Sequence, residues 1–426
     1  MLLALYGIAT LLTLLGLILS KRTSPLIALI LVPIGFAVLA GHGVQLPKMI
    51  AEGLATIAPT GIMFLFAILF FGVLKDAGTF EPIIRGLMSV AGENPIKLCV
   101  ATAILAMIVH LDGSGAVTFL VVIPAMGPVF DRLGLKRTTL ATIVALAAGT
   151  MNIVPWGGPT LRAATSLQVP VSDLFHPLLI PMAVGLVSVL IISAYLGYKE
   201  VLLPVQSEWE ISVTELPQVF SGRMALNYGL ILLTLVGLIQ QWAAPHVIFL
   251  MAFPVALLVN FPRIDQQKEQ IHAHAKEALF MASILFAAGC FMGILKGSGM
   301  MAAMAHVATQ WIPEPVGRKL PLIVGLGSMP ASLLFDPDSY YFGILPVLSQ
   351  TAISFGGTSL DIGRASLLGQ MTTGFAVSPL TGSTFLLLGL AKVDLGEHQL
   401  KTIPWAFLVT CLMLITSIIL GIISIG

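Results

Sequence analysis

Apolar residues run along this chain in blocks long enough to cross a bilayer, which takes roughly 20 helical residues for a hydrocarbon core of roughly 30 Å. The blocks lie at 2–20, 25–41, 54–74, 139–166, 174–197, 224–242, 246–262, 278–296, 364–391 and 403–425. They predict an all-α polytopic membrane protein with about ten transmembrane helices. Two further stretches break the pattern. Residues 96–110 and 116–130 are apolar arms of 15 residues joined by Leu111-Asp112-Gly113-Ser114-Gly115. At about 1.5 Å per residue each arm is about 22 Å long and cannot cross alone. The pair, 96–130, predicts a re-entrant hairpin, tolerable at membrane depth only where its tip is buried in protein or lines a wet cavity. Residues 319–334 and 341–354, joined by Phe335-Asp336-Pro337-Asp338-Ser339-Tyr340, predict a second hairpin over 319–354.

The two hairpins belong to an internal duplication. FFGVLKDAG at 70–78 lies over FMGILKGSG at 291–299, an offset of 221 that aligns Lys75 with Lys296. At an offset of 224, Asp112 lies over Asp336, Pro155 over Pro379, Gly158 over Gly382 and Thr160 over Thr384, so three inserted residues explain the drift. Each half holds five crossings and one hairpin that does not cross, and an odd number of crossings turns the second half upside down. The expected plan is two inverted-topology repeats, 1–198 and 224–426, joined by a cytoplasmic linker at 199–223.

Charge sets the orientation, because short loops rich in Lys and Arg stay in the cytoplasm. Placing Lys21-Arg22 inside also places Lys75, Arg85, Lys97, Arg132, Lys136, Arg137, Lys199, Arg223, Arg263, Lys268 and Lys276 inside, 13 in all. The outside receives 5: Lys48, Lys296, Arg318, Lys319 and Arg364. Both termini then face out, in the plasma (inner) membrane, with the first hairpin opening inward and the second outward. The linker glutamates, Glu200, Glu208, Glu210 and Glu215, read as a solvated surface, as do His272 and His274 in an inner loop. Composition agrees: 57% of residues are hydrophobic and 10% charged, far from a soluble globule at about 25% charged. The balance of 21 Lys+Arg against 20 Asp+Glu excludes a basic nucleic-acid binder. Cys99, Cys290 and Cys411 show no pairing or metal pattern and read as core fillers. The apolar start lacks a basic leader and ends on Lys21-Arg22, as a retained helix does.

Two of the predicted spans, 139–166 and 364–391, are interrupted. The first carries Asn152-Ile153-Val154-Pro155-Trp156-Gly157-Gly158-Pro159-Thr160-Leu161-Arg162, the second Ser378-Pro379-Leu380-Thr381-Gly382-Ser383-Thr384. Proline and glycine at this density unwind a helix. The half-helix that restarts presents unsatisfied N–H groups and a partial positive charge, a place for an anion. Asn152, Thr160, Ser378, Thr381, Ser383 and Thr384 add neutral hydrogen bonds. Pro155, Gly157, Gly158 and Gly382 shape the breaks, and Ser114, Gly115, Ser339 and Tyr340 border them from the hairpin tips. Tyr341 reads as packing. Ionisable groups at this depth are functional candidates. Arg162 either grips a carboxylate or forms an internal salt bridge to Asp112 or to a backbone carbonyl. Asp112, Asp336 and Asp338 either carry a coupling proton or touch a metal ion through oxygen, and His110 either relays that proton or is a hydrogen-bonded core residue.

These segments resemble the citrate–metal–proton symporter family of the ion-transporter superfamily, which also holds sodium-coupled dicarboxylate carriers. The resemblance runs essentially end to end through HLDGSGAVTF at 110–119, NIVPWGGPTLRAA at 152–164, DSYYFGILPVL at 338–348, RASLLGQ at 364–370 and SPLTGSTFLLLGLAKVDLGEHQ at 378–399. It departs at Ser114, where the family carries a second acidic residue, so proton or metal handling at that tip is expected to differ. It implies proton-driven uptake of citrate as its complex with a divalent cation (Mg2+ or Ca2+), with no permanent cofactor, and a transport domain of hairpins and broken helices moving in elevator fashion against a scaffold that forms a homodimer in the lipid bilayer. Chelation makes such a substrate reasonable, since it cuts the charge of a near-trianion to about one. Two alternatives stand beside this reading: a sodium-coupled carrier of free di- or tricarboxylates on the same fold, and an intramembrane aspartyl protease using Asp112 and Asp336.

Overall fold

A computed structural model describes residues 2–20, 22–201 and 222–424, and among these the regular structure is entirely helical. The first half contains α1 (Leu2–Leu19), α2 (Pro25–Leu39), α3 (Leu46–Asp76), α4 (Glu81–Ala91), α5 (Pro95–Val109), α6 (Gly115–Arg132), α7 (Arg137–Met151), α8 (Gly158–Leu167), α9 (Val171–Phe175) and α10 (Leu179–Val201). The second contains α11 (Gly222–Ile239), α12 (Pro245–Asn260), α13 (Ile264–Gly297), α14 (Met300–Trp311), α15 (Glu314–Arg318), α16 (Leu320–Leu334), α17 (Leu345–Ser354), α18 (Ser359–Leu367), α19 (Gly382–Ala391) and α20 (Leu395–Ile419). The succession of a long third helix, a short helix, a hairpin and a broken span occurs in both halves. The short helices α4 and α14, each following an aligned lysine, were not expected from the sequence.

Seven described helices are long and apolar enough to cross a membrane, against the ten expected. Part of the difference is physical: a broken span is two pieces, and α7 and α8, at 15 and 10 residues, are each too short alone. The first hairpin works the other way, since its arms extend to 18 residues each, Pro95–Asp112 and Gly115–Arg132. Its reach is nevertheless limited. Arg137, at the start of α7, pairs with Asp131 at the hairpin base (2.6 Å), while the tip meets the break that follows α7: the indole Nε1 of Trp156 donates to the carbonyl of Leu111 at 2.7 Å. The tip thus ends about 15 residues, or about 22 Å, along a span that continues through α8.

Loops assigned to one side meet one another. His274 Nε2 lies 2.9 Å from Asp76 Oδ2, and Asn227 Nδ2 donates to Thr79 and to Asn260, both at 2.9 Å. At the opposite end Lys296 Nζ donates to Gln168 Oε1 (2.7 Å) and Arg364 to the carbonyl of Asp173 (2.8 Å). Two sequence expectations fail here. Glu200 is not a solvated linker residue: it continues α10, is buried, accepts from the Thr139 hydroxyl (2.5 Å), and lies 3.8 Å from Lys401. Residues 202–221, with Glu208, Glu210 and Glu215, lie outside the described residues. His274 is likewise no loop residue, because α13 begins at Ile264 and carries both His272 and His274.

The longest helices, α3 and α13, pack so closely that a Cβ on Gly53 would stand 2.1 Å from the carbonyl oxygen of Gly289. Small residues permit such contact, which in a membrane replaces a hydrophobic driving force with van der Waals packing. The two broken spans also touch. Asn152 Nδ2 donates to the carbonyl of Met371 (3.0 Å), and a Cβ on Gly149 would stand 2.5 Å from Thr372 O. The second break is longer than the sequence indicated: helix ends at Leu367 and resumes at Gly382, leaving 368–381, with one 3-10 turn at Phe375–Val377, as non-α chain.

Candidate functional site

Where the breaks meet the hairpin tips, a cavity of about 970 Å³ opens. Three helix N-termini border it: Gly115 of α6, Gly158 and Pro159 of α8, and Gly382 and Ser383 of α19. No side chain caps α8 or α19, so their first N–H groups remain available to a guest. Asn152, Ser114 and Thr381 add polar atoms. The remaining wall was not foreseen: Ile18 and Thr23-Ser24-Pro25 between α1 and α2, Phe64 of α3, Phe280 of α13, and Met371, Phe375 and Phe385. Apolar wall residues on spanning helices leave no mark in a hydropathy pattern. The Thr-Ser-Pro loop follows Lys21-Arg22, so the cavity reaches the end of the molecule that the lysine and arginine count assigns to the cytoplasm.

Three charged side chains line the cavity among the described residues: Arg162, Asp336 and Asp338. Arg162 forms a salt bridge, and its partner is Asp338 rather than Asp112. Nε lies 2.7 Å from Oδ1, with the side chains 9% and 10% exposed. A second nitrogen, Nη1, donates to the carbonyl of Gly158 at 3.3 Å. The pair joins the restarted helix α8 to the second hairpin tip, and the guanidinium still faces the cavity.

The repeat-related aspartates do the same work at both tips. Asp112 Oδ1 accepts from the N–H of Ser114 (2.8 Å), and Asp336 Oδ1 from the N–H groups of Asp338 (3.0 Å) and Ser339 (3.1 Å). Each carboxylate substitutes for the missing helical partner of an N–H two residues on. Asp336 borders the large cavity and Asp112 a small one beside it, with Ser114 on the wall of both. His110 is fully buried between Thr118 (Nδ1, 2.8 Å) and Asn152 (Nε2, 2.9 Å). Because Asn152 Nδ2 already donates to Met371, its Oδ1 accepts, which puts the imidazole proton on Nε2.

Several candidates turn out to secure the breaks instead of lining the cavity. The Thr160 hydroxyl donates to the carbonyl of Ile153 (2.9 Å), and Thr384 to that of Phe375 (3.3 Å). These equivalent threonines satisfy carbonyls that the unwound segments leave without helical donors. Tyr340 is buried with its hydroxyl 2.9 Å from Ser366, and Tyr341 donates to the carbonyl of Gln370 (2.7 Å). Ser339 donates to Asp336 (2.5 Å), while Ser378 Oγ accepts from the N–H of Leu380 (3.2 Å). Pro155 is buried, and Gly157 turns so tightly that a Cβ would stand 2.2 Å from Asn152 O.

The chain matches the citrate transporter family, CitMHS, over residues 14–369. It is 43% identical to a citrate transporter of Bacillus subtilis (strain 168), with 99% of this chain and 100% of that protein covered. It is 37% identical to a Mg(2+)/citrate complex secondary transporter of the same organism, covering 100% of each. A solved structure, the YdaH transporter of Alcanivorax borkumensis, is similar at a TM-score of 0.64 and 16% identity over 90% of each chain, a likeness of fold. Helices able to span a bilayer, broken spans meeting at a polar cavity and full-length similarity to transporters converge: the chain belongs to the citrate transporter family and is a multi-pass membrane carrier, not an enzyme.

Proposed function

We propose that the protein imports citrate as its complex with a divalent metal ion, driven by protons, and that the guest sits in the large cavity against Ser114, Gly115, Asn152, Gly158, Arg162, Thr381, Gly382 and Ser383. The observation that carries this is the cavity's charge: one arginine against two aspartates leaves it at about minus one. Free citrate near neutral pH is about a trianion. At ~6 Å and an effective dielectric of about 20, each pair of like charges costs about 3 kcal/mol, so the free anion meets about 8 kcal/mol of repulsion. Chelation of a doubly charged metal removes about two thirds of that. Three helix N-termini, each worth about 0.3–1 kcal/mol and up to about 2 in buried geometry, offset much of the remainder. A proton on Asp336 or Asp338 neutralises the excess, which gives proton coupling a physical reason.

In this reading α1–α4 and α11–α14 form the scaffold, with the hairpins, broken spans, α10 and α20 as the moving body. Residues 1–198 and 224–426 are the inverted repeats, with both termini outside the inner membrane and two copies joined through their scaffolds. The test is uptake of labelled citrate into proteoliposomes. Transport is expected to need a divalent metal and an inward proton gradient. Stimulation by sodium, together with indifference to a metal chelator, would overturn it in favour of a sodium-coupled carrier of free di- or tricarboxylates.

A further inference from the structure

The first hairpin and the two broken spans are joined by a run of hydrogen bonds through a buried imidazole. His110, which follows α5 at the first tip, is wholly buried. Its Nδ1 lies 2.8 Å from the Thr118 hydroxyl of α6, and its Nε2 lies 2.9 Å from Asn152 Oδ1 on the first break. Asn152 Nδ2 donates in turn to the carbonyl of Met371 on the second break (3.0 Å), and both Asn152 and Met371 border the large cavity. The order of atoms fixes the protons. The Met371 oxygen can only accept, so the Asn152 nitrogen points to it and the Asn152 oxygen to His110. The imidazole then carries its proton on Nε2, and Nδ1 takes that of Thr118. Both partners of the ring are uncharged, and a neutral imidazole leaves neither of its nitrogens without a bond. The second half contains the same device. His398 of α20 is buried, with Nε2 2.9 Å from the carbonyl of Ala376 inside the second break and Nδ1 3.2 Å from the Thr402 hydroxyl. The duplication does not relate the two histidines, since the residue 224 positions after His110 is Leu334.

We propose that His110 is a positioning residue for the guest: its Nε2–H holds the Asn152 amide with the nitrogen toward Met371, which keeps the two breaks joined on the cavity wall and leaves the second N–H of Asn152, not its oxygen, to meet the guest. Without that donor the amide is free to turn over. Its oxygen would then face the Met371 oxygen, and two acceptors in contact would open the seam between the breaks. An N–H at this wall recognises a carboxylate oxygen and repels a metal ion, whereas an amide oxygen does the reverse. His110 thus sets which side of a metal–carboxylate complex turns toward the first break. The orientation of the cargo rests on the reading of it as citrate bound to metal; the positioning of Asn152 does not.

The test compares His110→Gln with His110→Met, two substitutions of similar size. The glutamine amide reaches about as far as Nε2 and keeps a donor for Asn152, while methionine fills the space and donates nothing. In proteoliposomes, His110→Gln is expected to keep the KM for citrate with Mg2+ within about threefold of the parent and to keep the parent's dependence on pH, whereas His110→Met raises KM about tenfold or more with a smaller change in maximal rate. Variants that behave alike would mean that the position only fills space, and loss of uptake or of pH dependence in His110→Gln would mean that the ring itself moves a proton. Either result overturns the proposal. Solid-state nitrogen NMR of protein labelled at histidine reads the ring directly, its signal identified by its loss from His110→Gln. The parent is expected to show a neutral ring protonated on Nε2 from about pH 5.5 to about pH 8. A ring protonated on Nδ1, or an imidazolium in that range, also overturns it: an imidazolium would turn the Thr118 proton to the carbonyl of Ser114, 3.0 Å away, as a relay needs. The spectrum needs no cargo, and the comparison of variants applies to whichever cargo the parent accepts, so failure of the citrate reading would leave both standing.

Discussion

At the residue scale, the pairing of Arg162 with Asp338 changes what an arginine substitution measures. Truncation to Ala strips a partner from a side chain 10% exposed, and breaking such a buried pair costs about 3–5 kcal/mol. Arg162→Ala is therefore expected to lower folding and binding together, while Arg162→Lys keeps the charge, folds, and loses uptake by about tenfold or more because a point charge cannot replace the guanidinium fork. Detergent thermal stability measured beside citrate uptake checks this: a stable Arg162→Lys protein with normal uptake would make the pair purely structural. The tip aspartates allow a cleaner separation. Asparagine keeps the oxygen that accepts from the tip N–H groups, so Asp336→Asn should fold as well as the parent, whereas Asp336→Ala loses about 0.5–2 kcal/mol. If Asp336 also carries the coupling proton, Asp336→Asn uptake loses its dependence on pH. The sequence singled these residues out without showing what each side chain contacts. A threonine beside a helix break looks the same whether it faces a ligand or, as Thr160 does, closes a loose carbonyl.

At the scale of elements, the site exists because two helices stop early and cross. Gly149 sits at that crossing, and Gly149→Ala would push a methyl to within 2.5 Å of a backbone oxygen. Overpacking of this kind costs about 1–3 kcal/mol. The variant is expected to show a lower melting temperature and poor uptake even though no guest touches Gly149, and an unchanged melting temperature would mean the crossing is loose. Proline and glycine made both breaks and both hairpins legible, because each residue acts through its own backbone. The early end of α18 at Leu367 was not legible. Gly369 approaches Met329 so closely there that a Cβ would stand 2.3 Å from its backbone nitrogen, and Met371 takes φ 52°. Tertiary contact with α16 accompanies that unwinding, and no local pattern announces it. Glu200 escaped notice for the same reason, since its partners Thr139 and Lys401 come from distant parts of the chain.

At the scale of the molecule, the large cavity reaches the end that holds the Thr23-Ser24-Pro25 loop. Thr23→Cys is expected to react with a membrane-impermeant maleimide in inside-out vesicles, and citrate with Mg2+ to slow that reaction. Preferential reaction in right-side-out vesicles would reverse the assigned sidedness. The surplus carboxylate in the cavity has a consequence for the return stroke. On the proposed cycle, a moving body that resets without cargo and without a bound proton would carry about one negative charge outward, down a membrane potential that is negative inside, a gain of about 2.3 kcal/mol per 100 mV for a full traverse. On the same cycle the loaded body, with one proton and a singly charged cargo, would carry about one negative charge inward against that potential, so voltage would hasten the empty return and slow the loaded stroke by the same amount.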